Sequence, residues 1–418
     1  MSGSGAHNTS LADRGDIRMS PSAARVLSAV LLAIGAVCVG LTLVLGLTTG
    51  DKTVARQALA SYHVGFLIAI GFSLGAMAIV MILHQVNAGW AGLIRRQFEN
   101  VMSLVWPCAI LFIPVILLSL LGDPLWKWMD PEYVAGDALY DHKKPYLNTT
   151  FFLIRNIVYF VIWIWLAHSL FRYSTQQDLT GDKWLTAKAR RMSSYGLLLF
   201  ALTTAFAAFD WEMTLDFHWF STMYGVYFFA ANVGAAICLV TFILLMLRRS
   251  GRLADLVTVE HYHDLGKLMF GFVVFWAYIS FSQYFLIWYA NIPEETMWYQ
   301  RRQADGWGTI AIALSLGRFI LPFILLMPRP FRRSPAVLAF ASVWLIGFHA
   351  LEVFWIVRPQ VYDPATYEPI MLNLLDVAAA LGPVSLFLGL LVRKIASGPL
   401  VPLHDPRMDE SLHHKNYI

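Results

Sequence analysis

The sequence predicts an all-α, polytopic transmembrane helix bundle of about ten helices, and three observations predict it. Hydrophobic residues make up 58% of the chain and the mean hydropathy is +0.57. Charged residues make up only 14%, about half of the roughly 25% typical of soluble domains, so most of the surface must face lipid. Ten separate stretches also reach the roughly 20 apolar residues that a spanning helix needs.

The first span, 25–47, follows a polar tail (1–23) with Asp13, Arg14, Asp16 and Arg18. That tail lacks the basic start, short apolar core and small-residue cleavage site of a signal peptide, so the span reads as retained. Next come 64–86 and 101–121, then 151–173 with Arg155 near one end. The fifth, 193–209, is the shortest and runs into Asp210 and Glu212. The remaining spans are 220–247, 265–291, 307–327, 335–357 and 370–392. The membrane domain is thus 24–395, followed by a polar tail, 396–418. Of the 31 Lys and Arg, 21 fall on the side of the N-terminus, eight on the other side, and Arg155 and Arg318 within spans. By the positive-inside rule both termini are expected in the cytoplasm.

The loop 122–150 holds Trp126, Trp128, Tyr133, Tyr140 and Tyr146 among charges and reads as an interfacial segment lying on the membrane. The turn 210–218 carries Asp210, Glu212 and Asp216 with His218 and no Lys or Arg. Nucleic-acid binding is excluded, because the net charge is only +4 and the basic residues are scattered over loops. Cys38, Cys108 and Cys238 stand far apart inside apolar runs, so the chain has no spacing for an iron–sulfur cluster, c-type haem or zinc ribbon. His63 and His84 are 21 residues apart on one helix, about 31 Å, and cannot serve one site. Only His84 and His168 lie level, which does not favour a b-type haem. The chain is expected to bind no cofactor of its own.

Ionisable groups deep in a span are costly and are candidate sites by default. The clearest set is Arg318, His349, Glu352 and Asp376 on the last three spans. His349 and Glu352 are three apart and share a helical face. Either they form a structural ion pair with Arg318 that fixes packing, or they pass protons. A second cluster, HYHDLGK at 261–267, supplies His261, His263, Asp264 and Lys267 at the start of the seventh span. Further along come Ser280, Ser282, Gln283 and Tyr284. Together these read as a half-channel; taken alone, the cluster is also what a helix N-terminus among headgroups looks like.

Three segments carry a family resemblance. HYHDLGKLMFGFVVFWAYISFSQYFLIWYANIPEE (261–295), DFHWFSTMYGVYFFAANVGAA (216–236) and HQVNAGWAGLIRRQFENV (84–101) resemble the NrfD-like integral subunits of alternative complex III. The likeness runs from about residue 20 to about 395 and is greater to the second of the two such subunits. It implies two four-helix bundles plus two further helices. The implied role is membrane anchoring within a bacterial quinol:cytochrome c oxidoreductase. Implied partners are a second NrfD-like subunit, haem-c subunits and an iron–sulfur, molybdopterin-type subunit, with quinol or menaquinol nearby, and in this second subunit the sister is the better candidate for the quinol pocket. The resemblance further implies a proton path through His261, His263, Asp264, Lys267, Ser282 and Gln283, leaving by Asp210 and His218. The competing readings are a secondary transporter, for which the prolines at 107, 114, 322 and 383 do not pair between halves, and a passive anchor.

Overall fold

The computed structural model describes residues 11, 14–48, 50, 52–304, 306–360 and 374–416. Most of the first half of the expected N-terminal tail, and the first four residues of the tenth predicted span, lie outside the described residues. Among the described residues all regular structure is helical, and ten helices are long and apolar enough to cross a membrane. The chain is an all-α, multi-pass membrane bundle.

The helices are α1 (Pro21–Thr48), α2 (Lys52–Gln85), α3 (Gly92–Met102), α4 (Val105–Leu121), α5 (Ala138–Lys143), α6 (Thr149–Thr180), α7 (Trp184–Trp211) and α8 (Tyr224–Arg249). They continue with α9 (Val259–Ala290), α10 (Pro293–Arg301), α11 (Trp307–Leu314), α12 (Leu321–Leu326), α13 (Arg329–Arg332), α14 (Pro335–Val357), α15 (Leu374–Ala396) and α16 (Met408–Leu412). The α3–α4 pair forms one span, and α11 and α12 form another around a π-turn, Ser315–Ile320. Local sequence sets the ends. Asn148 caps α6 by accepting the N–H of Phe151 at 2.8 Å, and Gly181 ends it with φ 66°. Thr258 and His261 form a reciprocal capping box at the start of α9. Ser334 caps α14, with Pro335 at its first position.

α2 is the axis of the bundle, 94% buried over its most apolar stretch. It packs on α4 and α7, on α8 and α14, and on α15. One four-helix group is α2, α4, α6 and α7; the other is α8, α9, α11–α12 and α14. α1 and α15 pair on the outside, and α1 is only 17% buried. Close approach on α2 depends on small residues. A Cβ on Gly75 would stand 2.2 Å from the carbonyl oxygen of Asn232 on α8.

Three features differ from the sequence-based expectation. α7 is not the short span read from 193–209 but a 28-residue helix, because its first turns carry basic residues that hydropathy reads as loop. α3 was expected to be loop and is a helix whose residues are all buried. Trp126 and Trp128 do not lie on the membrane surface. Both are buried against Phe152, at ring distances of 5.0 and 5.4 Å, since the mouth of the first group offers them a better-packed apolar site than headgroups do.

The two ends of the chain meet at one end of the bundle, where the N–H of Leu400 donates to the carbonyl of Ile17 at 2.8 Å. From there the C-terminal segment crosses α3 to reach the first turn of α9. Gln97 donates to the Leu400 carbonyl at 2.7 Å, and the Ser411 hydroxyl accepts from the N–H of Leu93 at 3.1 Å.

Candidate functional site

Mid-bundle, the π-turn of the eighth span turns Arg318 into the second four-helix group. π-turns of this kind are frequent at functional sites. His349 and Glu352, one turn apart on α14, face it; all three are buried. Arg318 pairs with Glu352, and both its terminal nitrogens lie 3.3 Å from Nδ1 of His349. Nδ1 therefore accepts, which places the ring proton on Nε2. Nε2 is buried without a partner. The Trp276 indole N–H donates to Glu352 Oε1 at 2.5 Å, and the Tyr227 hydroxyl donates to the same oxygen. The guanidinium of Arg318 also stacks 4.6 Å above the Trp276 ring. A cavity of about 20 Å3, bounded by Arg318, His349, Trp276, Cys238 and Met269, adjoins the cluster and has room for a water.

A polar chain continues from Glu352 toward the bundle end opposite the termini. Tyr227 neighbours Tyr224 at 5.6 Å between rings, and the Tyr224 hydroxyl donates to Glu212 at 2.7 Å. Glu212 is buried and leads into the 3-10 turn Met213–Asp216. There Asp216 accepts from Arg301 at 2.8 Å, and Gln283 bridges Ser221 (3.0 Å) and the Tyr299 hydroxyl (3.2 Å). The chemistry available is proton exchange among carboxylates, phenols and water. The ion pair keeps charge at mid-bundle without leaving it unpaired.

At the terminal end the HYHDLGK cluster is covered by the C-terminal segment. Asp264 pairs with Lys267 and lies 2.5 Å from Nε2 of His414. Lys267 donates to Asn416 at 2.9 Å. His261 faces Thr258 at 3.0 Å and Ser411 at 3.2 Å, whereas both ring nitrogens of His263 are buried without partners.

The structure regroups the residues singled out from sequence. Arg318, His349 and Glu352 come together, but Asp376 does not join them. It sits in the first turn of α15, accepting from Ser61 (2.6 Å) and Gln57 (3.0 Å) and pairing with Arg358 (3.1 Å). Asp210 and His218 also part. Asp210 is held at 2.8 Å by two nitrogens of Arg155 and by Tyr159, in the first group. Arg155 thus turns inward rather than toward the headgroups. His218 instead meets Asp137 at 2.6 Å. Along α9, Lys267 and the pair Ser282 and Gln283 are separated by 268–281, about 22 Å of helix from which the Trp276 indole is the group that bonds to Glu352. α9 alone is not a continuous track; Glu352, Tyr227 and Tyr224 of other helices lead instead from mid-bundle to Glu212. Tyr224, Tyr227 and Trp276 escaped notice because aromatic residues in a span read as packing. The signal was present in the i, i+3 spacing of two tyrosines and in an indole N–H that needs an acceptor at mid-span.

A second buried network sits around α3. Arg95 pairs with Glu99 (2.9 Å) and Asp405 (2.6 Å), Arg96 with Asp178 (2.6 Å), and Ser174 donates to Glu99 at 2.7 Å. Of the level pair His84 and His168, the first is buried and the second exposed. Among the described residues no three His, Cys, Asp or Glu side chains are grouped so as to hold a metal ion. No protein-family model matches the chain, and no curated protein matches it in sequence.

Proposed function

We propose that this chain is an integral subunit of a bacterial respiratory quinol:cytochrome c oxidoreductase of the alternative complex III type. It anchors haem-c and iron–sulfur subunits beside a second, similar membrane subunit and conducts protons through its second four-helix group. It lies in the inner membrane with both termini in the cytoplasm. The observation that carries the proton role is the buried Glu352, which takes hydrogen bonds from Tyr227 and Trp276 beside Arg318, His349 and a water-sized cavity. Supporting it, two of the three segments that carry the family resemblance supply Tyr224, Tyr227 and Trp276 to this chain of groups, and the third forms α3.

The path starts at Asp264, His261 and Lys267, passes the cavity, Glu352 and the two tyrosines, and ends near Glu212 and Asp216. Quinol or menaquinol would be oxidised close to that end, in the sister subunit, with electrons passing to haem c and iron–sulfur centres in partners. The test is to tag the chain, extract it from its native membrane in mild detergent and record a reduced-minus-oxidised spectrum with mass spectrometry of co-purifying proteins. A c-type haem signal with an iron–sulfur protein and a second ten-helix subunit is expected. A colourless, intact preparation without partners overturns the proposal and leaves a secondary transporter, with Arg318 in its interrupted helix as the substrate anchor. In the intact complex reconstituted into vesicles, Glu352→Gln should cut proton movement per electron back to the protons that quinol oxidation itself releases, while cytochrome c reduction persists. Unchanged proton movement would reduce this chain to an anchor.

A further inference from the structure

At the terminal end, lined by none of the residues of the proton path, a polar cavity of about 390 Å3 opens where α1 begins and α15 ends. Arg18, Ser20, Arg252, Ser397 and Gly398 are among its walls. Its depth in the membrane follows from its neighbours. Pro21, the first residue of α1, and Ala396, the last of α15, both line it, so it lies where two spans reach the headgroup layer.

Its charge follows from who pairs with whom. Among the described residues the nearby acids are Asp16, both of whose oxygens Arg14 binds (2.9 and 2.8 Å), and Asp255, 3.8 Å from Arg14. Arg252 spends one nitrogen on the carbonyl of Gly15, at 2.7 Å, which fixes it on the cavity wall. Arg18 has no hydrogen bond or ion pair among the described residues and is exposed. Two guanidinium groups thus face one concave site with donors to spare, and guanidinium is the group best matched to phosphate oxygens. The Leu400–Ile17 backbone bond joins the two segments that carry Arg18 and Gly398, so these walls are held together by the fold.

Beside the cavity runs a bare apolar face. On α1, Val26, Val30 and Val37 are 67%, 51% and 70% exposed, and the stripe begins about one turn from Pro21. We infer that the cavity binds the headgroup of an anionic phospholipid, a phosphodiester of the phosphatidylglycerol type, whose acyl chains lie along α1. Basic pockets between transmembrane helices recognise anionic headgroups in this way. Free phosphate has the same oxygens, but it would use neither the apolar face nor a volume that equals roughly a dozen waters. Bound there, the lipid ties α1, the α8–α9 loop and the end of α15 together, which matters most for α1, the least buried of the spans.

The experiment uses the purified full-length chain, delipidated in neutral detergent and titrated with micelles containing phosphatidylglycerol, with micelles of phosphatidylcholine alone, and with inorganic phosphate. Native mass spectrometry counts bound lipid, and thermal unfolding reports stabilisation. Phosphatidylglycerol should be retained and should raise the unfolding temperature, and phosphatidylcholine should do neither. Arg18→Gln should weaken retention about tenfold, the cost of one charged hydrogen-bond partner. Since Arg18 bonds to none of the described residues and is exposed, the variant tests binding with little cost to the fold. Ser397→Asp, which places a negative charge in the wall, should abolish retention, whereas Arg329→Gln, an exposed arginine on α13 at the same end, should leave it unchanged. Equal retention of phosphatidylcholine, or wild-type retention by both cavity variants, overturns the inference. Equal stabilisation by inorganic phosphate overturns the lipid assignment and makes the site a free-anion pocket.

Discussion

A carboxylate buried at mid-span dictates what must stand beside it, and Glu352 shows the rule. Its charge is matched by Arg318, and its Oε1 accepts from a phenol and an indole. Glu352→Ala would leave a buried guanidinium without its counter-charge, at a cost of about 3–5 kcal/mol. The double variant Arg318→Met, Glu352→Met, which removes both charges at similar volume, should cost far less. Thermal unfolding in detergent checks this; a single variant no worse than the double would show that the pair does not hold the charge. Arg318, His349 and Glu352 were legible in the sequence because a charge inside an apolar run signals its own cost. Asp376 was legible as a buried charge but not as belonging elsewhere, since position along a helix fixes depth and says nothing of the direction a residue faces. Asp210 and His218 were separated for the same reason. Eight residues apart in sequence, they bond to different segments, Arg155 on α6 and Asp137 before α5.

Whole elements were legible where the chain obeys hydropathy and illegible where pairing overrides it. The ten spans follow from apolar runs alone. α3 does not, because Arg95, Arg96 and Glu99 read as loop, yet the helix is buried with Glu99, Asp178 and Asp405 balancing its arginines. Two of those partners lie 82 and about 310 residues along the chain, beyond any local pattern. This network makes a pH prediction. Burial alone would push Asp405 up, but Arg95 and the backbone N–H of Arg407 prevail and hold it below the usual carboxylate range. A depressed folded value contributes stability that is fully present above the unfolded value of about 3.9 and lost as pH falls through the folded one. Hydrogen exchange of the C-terminal segment should therefore be flat from about pH 5 to 8 apart from intrinsic chemistry, and rise only as pH falls below the unfolded value of about 3.9. Asp405→Asn should loosen the segment at every pH; equal protection in the variant would show that the pair does not dock it. For α2 the constraint is steric. Gly75→Val would drive a Cβ to 2.2 Å from the Asn232 backbone oxygen, so α2 and α8 must separate. A loss of about 1–3 kcal/mol or more is expected, read as reduced folded yield and a lower unfolding temperature.

At the scale of the whole molecule, sidedness is the property on which the proposed function turns. The contact between Ile17 and Leu400 puts the two ends of the described chain at one end of the bundle. That end also carries the Asp264 cluster and the α3 network, while Glu212, Asp216 and His218 lie at the other. The Lys and Arg excess on the terminal side gives the chain a direction, because basic loops resist translocation. Proton entry would then be cytoplasmic and the Glu212 end external, where quinol protons are released. Two single-cysteine variants decide it, one at Glu132 in the loop before α5 and one at Asp409 on α16, both exposed. They are made in a background in which Cys38, Cys108 and Cys238 are replaced by Ser or Ala. A membrane-impermeant maleimide applied to intact spheroplasts should label Glu132→Cys, and should label Asp409→Cys only after lysis. The opposite pattern would invert the bundle, place the Asp264 cluster outside and require protons to be taken up where quinol oxidation must release them. That result would overturn the proton role while leaving the helix bundle itself intact.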